Sequence, residues 1–181
     1  MEKEETVSIW PTKLMRYQNI FTLLGAKPLS NRASPAREEK SFEIHIELDE
    51  ILAQFDGAIV FENGAKFKSP LALPKSDKQG FVDLVIIYGT AEDSNNIFLV
   101  NKMYQDQIGK DFYVFGESSG GDQFCINRQS GEVFYWHHEA KTYDLSMFRI
   151  ASSIVEFIEH LVPDNSDSGK SSGIISAHFD F

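Results

Sequence analysis

The stretch FYVFGESSGGDQFCINRQSGEVFYWHHEA, residues 112–140, and the segment IASSIVEFIEHL, residues 150–161, together decide the fold. An apolar strand over 112–115 runs into a Gly/Ser loop. Strands at 123–128 and 132–137 follow, joined as a hairpin over Arg128-Gln129-Ser130-Gly131. After a polar connection, Ile154, Phe157, Ile158 and Leu161 recur at helical spacing, so a helix lays one apolar face on the sheet. Ser153 and Glu156 form a capping box: the Ser hydroxyl accepts from the Glu156 amide while the Glu side chain reaches back. Pro163 stops the helix from continuing.

Upstream, the run 81–88 carries Val82, Val85, Ile86 and Ile87 almost without interruption, which predicts a central strand buried on both faces. Trp10, Leu14, Tyr17, Phe21 and Leu24 share one helical face, predicting a first helix over 12–24 that starts behind Pro11 and stops at Gly25. Residues 26–41 are polar, hold Pro28 and Pro35, and read as a long loop. Leu48, Ile51, Leu52 and Phe55 predict a second helix ended by Gly57. Residues 60–67 read as a hairpin about Asn63-Gly64, a pair suited to a type I′ turn. Asp93-Ser94 is placed to cap a third helix carrying Ile97, Val100 and Tyr104. Beyond Pro163, DNSDSGKSSG is linker-like, and IISAHFDF is apolar enough to dock on the domain or on a neighbouring chain. The expected organisation is one domain over 1–163 and a tail over 164–181, without internal repeats.

The 181 residues suffice for one domain with a real core, and 42% hydrophobic with 13% aromatic residues is a globular composition. A net charge of −10, from 17 basic and 27 acidic residues, argues against direct nucleic-acid binding, which needs basic surface. It suits solubility, or attraction of a basic partner. The single cysteine, Cys125, allows no intramolecular disulfide, the N-terminus lacks a signal-peptide pattern, and no apolar run approaches membrane-spanning length. A cytoplasmic protein is therefore expected.

Four motifs invite a chemical reading. Gly116-Glu117-Ser118-Ser119-Gly120 matches the G-x-S-x-G of a nucleophile elbow, but that chemistry needs a helix after the turn, and a strand follows here. His137-His138-Glu139 is the histidine cluster; neighbours on a strand point to opposite faces, so surface imidazoles are expected and no metal or other cofactor is called for. His45, His160 and His178 are distant in sequence. Gly169-Lys170-Ser171 resembles the end of a P-loop, yet Asp164 stands where its first glycine belongs. Cys125, between Phe124 and Ile126 in a strand, reads as a buried structural thiol. The arm Phe134-Tyr135-Trp136-His137 puts aromatics on both faces. One face packs on the core, and the other is either covered by a helix or forms a binding surface.

The order of these parts resembles the SUKH superfamily, which includes fungal cell-wall glucan-synthesis regulators and many bacterial toxin-immunity proteins. The resemblance covers residues 10–162. It rests on the segment 48–57 with the strand after it, on Val114-Phe115-Gly116 leading through Gly120-Gly121-Asp122 to 124–127, and on 133–139 followed by Ile150-Ala151-Ser152-Ser153 and the helix 154–161. The chain departs from the common form in the 26–41 loop, in the 164–181 tail, and in lacking a proline near Ile46-Glu47. The resemblance implies an α+β fold: a single twisted, mainly antiparallel sheet packed by about four helices. It implies no shared catalytic residues, no cofactor and no membrane association.

The function it implies is protein binding. Many bacterial members bind and block a secreted toxin, often a nuclease or deaminase, and fungal members are interaction hubs. An immunity protein facing a basic toxin domain is the first expectation, and a regulatory scaffold is the second. A hydrolase or metal protein built on Ser118 or the histidine pair comes last. The Gly/Ser loop and the hairpin end supply the expected contact residues, Glu117, Ser118, Asp122, Trp136, His137 and Glu139.

Overall fold

A computed structural model describes residues 15–29, 41–55, 57–142 and 145–164. The start of the first helix with Trp10, Pro11 and Leu14, most of the expected 26–41 loop, and the tail with Gly169-Lys170-Ser171 and His178 lie outside the described residues.

In chain order the elements are α1 (Met15–Leu24), β1 (Ala26–Leu29), α2 (Ile46–Leu52), β2 (Ala58–Phe61), β3 (Lys66–Lys68), β4 (Phe81–Asp83), β5 (Ile86–Ile87), α3 (Ile97–Tyr104), β6 (Phe112–Glu117), β7 (Gln123–Asn127), β8 (Val133–Trp136), β9 (Met147–Ala151), α4 (Ile154–Glu159) and β10 (Leu161–Val162). Seven strands form one sheet in the order β1-β2-β5-β6-β7-β8-β9, and a small second sheet has the order β10-β3-β4. The strand pairs of both sheets are antiparallel. The fold is thus α+β, with a small sheet beside the main one.

The main sheet is covered on both faces. Phe157 of α4 packs on Phe115 and Phe124 of the main sheet, with ring centroids 5.5 and 5.2 Å away, and stacks on Phe67 of the small sheet at 4.8 Å. One buried ring therefore clasps the two sheets. Tyr135 lies on that same face, 5.6 Å from Phe124, so its strand neighbour Trp136 points to the other face and meets Tyr104 of α3 at 5.7 Å. The aromatics of β8 are core on one side and helix-covered on the other. Near Val114 the ladder of β6 and β7 shifts register, and Asn101 of α3 fills the gap. It donates to the Val114 carbonyl and accepts from the Val114 N–H, both at 2.8 Å.

Several local expectations change. Residues 26–29 form an edge strand rather than loop, and Pro28 is tolerated there because an edge leaves one side of the ladder free. The hairpin expected over 60–67 does not form: β2 joins the main sheet and β3 the small one. Gly64 alone takes a positive φ, 67°, so the turn is not type I′. Asn63 instead caps α1, its side chain donating to Leu23 O at 2.8 Å and its amide to Leu24 O at 3.1 Å. The single strand expected over 81–88 splits into β4 and β5, one in each sheet, with the exposed Val85 at the crossing. Helix α2 ends at Leu52, short of Gly57. The cap of α3 is Asn96, which accepts from Phe98 N and Leu99 N. Asp93 forms a turn just before it, accepting from Asn95 N at 2.7 Å. Strand β9 replaces the polar connection as partner of β8.

The capping box of α4 is present in modified form. Ser153 Oγ accepts from Glu156 N at 3.1 Å, while Glu156 reaches one residue further back, to Ser152 N at 2.6 Å. Ser153→Ala is expected to lower unfolding stability by about 1 kcal/mol in urea titration. A loss well under ~0.5 kcal/mol would mean that the cap does not hold α4.

Candidate functional site

The turn from β6 to β7 and the end of β8 meet at one end of the main sheet. Gly120 and Gly121 supply positive φ angles, 86° and 89°, that let the chain double back within five residues. Ser118 N–H donates to Asp122 O at 2.9 Å and closes the loop. Ser118 Oγ donates to Asp83 Oδ1 at 2.8 Å, and Ser119 N–H leans on the same carboxylate. Ser118 is buried and followed by a strand, so its hydroxyl ties the loop to β4 and lacks the geometry of a nucleophile elbow. Cys125 is fully buried and burial pushes its thiol well above the usual range, so it is inert packing.

Asp122 organises the site. Its side chain is fully buried, yet it carries four donors or rings. Tyr135 OH donates to Oδ2 at 2.6 Å, and His138 N–H donates to Oδ1 at 3.1 Å. The Nδ1 of His137 lies 3.0 Å from Oδ2, and the Nδ1 of His138 lies 2.6 Å from Oδ1. Burial alone would raise this carboxyl, but the hydrogen bonds from Tyr135, His137 and His138 outweigh it and hold it below the usual aspartate value. Burial and the Asp122 carboxylate push the Tyr135 phenol upward, so it stays a proton donor.

The two imidazoles thus share one partner, contrary to the alternation expected of a strand. The reason is local. Strand β8 ends at Trp136, and the chain turns at once, with Ala140 N–H donating to His137 O. The turn swings His138 back to the side of His137. Gly121 sits against the ring, and a Cβ there would lie 3.4 Å from His138 Cε1, which is ordinary contact, so its φ of 89° and not space calls for glycine.

A second polar group lies alongside. Tyr88 OH sits 2.8 Å from Glu117 Oε2 and 2.9 Å from Gln123 Oε1, and Gln123 Nε2 donates to Gly121 O at 3.0 Å. The exposed edge is closed by Lys75, whose Nζ reaches Gly120 O at 3.3 Å and Glu139 Oε2 at 3.1 Å. That ion pair holds the Glu139 carboxyl below its usual range.

The six contact residues expected from sequence therefore fall into two groups. Ser118, Asp122 and Trp136 are buried and position the loop, the histidines and α3 respectively. Glu139 is exposed, His137 is half-buried, and Glu117 is half-buried against Tyr88. Lys75 and Tyr135 were missed as members of the site. Asp122 was recognised but not its role, although the expected hairpin already implies it. Pairing Gln123 with Trp136 across the Arg128–Gly131 turn places Asp122 opposite His137.

Comparison with known proteins adds two findings. A family model described as the SMI1 / KNR4 family (SUKH-1) matches residues 34–160. The chain is also 30% identical over 83 residues to the SPbeta prophage-derived uncharacterized protein YokK of Bacillus subtilis (strain 168). That similarity covers 46% of this chain and 43% of the relative, so the chain spans under half the relative's length.

Proposed function

The chain belongs to the SMI1/KNR4 (SUKH-1) family, and from that premise we propose that it is a non-enzymatic protein-binding module, an immunity protein that neutralises a cognate toxin. One observation carries the reading. Lys75 joins the Gly/Ser loop and the hairpin end, so Ser119, Gly120, His138 and Glu139 form one exposed rim on a rigid sheet. Preorganised rims bind with little ordering cost. Ser118 and Cys125, the side chains that would serve a covalent mechanism, are spent on structure, which favours binding over catalysis. The net charge of −10 favours a basic partner such as a nucleic-acid-directed toxin, through steering of the encounter. The relative is bacterial and prophage-borne, which favours immunity over the cell-wall scaffold reading.

The test first asks whether a gene beside this one encodes a toxin domain, and then co-expresses the two. Growth is expected to be restored by the wild-type protein. Glu139→Lys, at the rim, is expected to slow association with the purified toxin domain roughly tenfold at low salt, with dissociation less affected. Unchanged association rates for Glu139→Lys would place the contact surface elsewhere. Growth arrest despite abundant folded protein would overturn the immunity reading.

A further inference from the structure

From the Asp122 cluster we infer a second property, independent of toxin binding: Asp122, His137 and His138 form a binding site for a divalent transition-metal ion such as Zn²⁺. The donor atoms of the three residues all lie within 4.8 Å of one another. Two imidazole nitrogens and one carboxylate oxygen are borderline ligands, suited to Zn²⁺, Ni²⁺, Co²⁺ or Cu²⁺ and ill suited to Ca²⁺ or Mg²⁺, which take mostly oxygen.

The geometry explains why an ion fits. Both Nδ1 atoms face one carboxylate, at 2.6 and 3.0 Å. A bare imidazole lone pair cannot face carboxylate lone pairs, so each contact needs either a proton on Nδ1 or a cation between the groups. One divalent ion takes the place of both Nδ1 protons, and each neutral ring then carries its single proton on Nε2. Metal–ligand distances of about 2.0–2.2 Å call for nitrogen–oxygen separations slightly wider than those seen. His138, whose side chain is 35% exposed, is free to supply that movement by a small ring rotation.

The surroundings have the form of a metal site's outer shell. Tyr135 OH on Oδ2 and His138 N–H on Oδ1 fix the carboxylate and still leave one lone pair on each oxygen for an ion. Three protein ligands leave at least one coordination position for water or for a donor from a bound partner. The ion would pin the Gly/Ser loop, through Asp122, to the hairpin end, through both histidines.

The experiment uses the full chain, stripped with a chelator and titrated with ZnCl₂ by calorimetry at neutral pH. One saturable site is expected. His138→Gln and His137→Gln are each expected to weaken it by roughly 10–100-fold or more, while His45→Gln and His160→Gln leave it unchanged. Circular dichroism confirms folding, and the partly exposed His138 keeps the test valid even where His137→Gln destabilises the chain. Paramagnetic resonance of the Cu²⁺ complex supplies the second readout, with hyperfine coupling to two imidazole nitrogens in the wild type and one in His138→Gln. Absence of a saturable 1:1 site, or equal affinity in wild type and His138→Gln, would overturn the inference.

Discussion

Phe157→Ala is expected to lower unfolding stability by about 3–5 kcal/mol, the largest loss from any single truncation in α4. The ring is fully buried and touches Phe67 of the small sheet together with Phe115 and Phe124 of the main one. Its removal forfeits the transfer free energy of a phenyl group. It also opens a cavity at a point where two sheets and a helix converge, where no single element can collapse into the space. Phe157→Leu, which keeps most of the volume, is expected to cost less than half as much. Urea unfolding of the two variants decides the matter. A loss for Phe157→Ala below ~1 kcal/mol would mean that α4 does not clasp the sheets.

Asp122→Ala is expected to cost about 3 kcal/mol, an unusual amount for a short polar side chain. The loss comes from what stays behind. The Tyr135 hydroxyl, two imidazole nitrogens and the His138 amide lose a common acceptor, and Tyr135 is fully buried. Tyr135→Phe made on top of Asp122→Ala removes one orphaned donor, so the double variant is expected to be more stable than the summed losses predict by about 1 kcal/mol. Strict additivity would show that the two groups do not interact. The acid dependence has a defined sign. The folded pKa of Asp122 is depressed, so its contribution is complete above the unfolded value of about 3.9 and fades as pH falls through the lower folded value. The gap between wild type and Asp122→Ala therefore narrows as pH falls through that acidic window.

Much of this architecture could be read from residue patterns. The hairpin of β7 and β8 and the helix α4 announced themselves because alternation, turn residues and the Ser153/Glu156 cap all pointed the same way. Short or mixed elements were harder. Strand β1 holds a proline and only four residues, and its partner β2 lies about thirty residues further on, so its pairing has no local signal. Strand β9, Met-Phe-Arg-Ile-Ala, lacks clean alternation and is defined by the register of β8. The run 81–88 gave the burial of Val82, Ile86 and Ile87 but not the exposure of Val85 or the break in the strand, because hydrophobicity does not say which sheet a strand belongs to.

The site was half legible for a related reason. Periodicity tells which side a residue takes while the strand lasts, and β8 stops one residue before His137. The turn that follows brings His138 to Asp122 beside His137, a consequence of backbone geometry that composition does not carry. Lys75 is beyond local reasoning altogether: its partners Gly120 and Glu139 lie 45 and more residues away. Conversely, Trp136 and Asp122 looked available in the sequence because they flank a polar loop, and burial by α3 and by β8 removes them from the surface.

The most direct test is a calorimetric titration of the purified protein with a toxin domain found among the products of the neighbouring genes, paired with an assay of that toxin's activity. The account predicts a 1:1 complex and loss of toxin activity in step with complex formation, with no chemical change in the toxin. Undiminished toxin activity without measurable association, or inactivation by substoichiometric amounts of this protein, would contradict it.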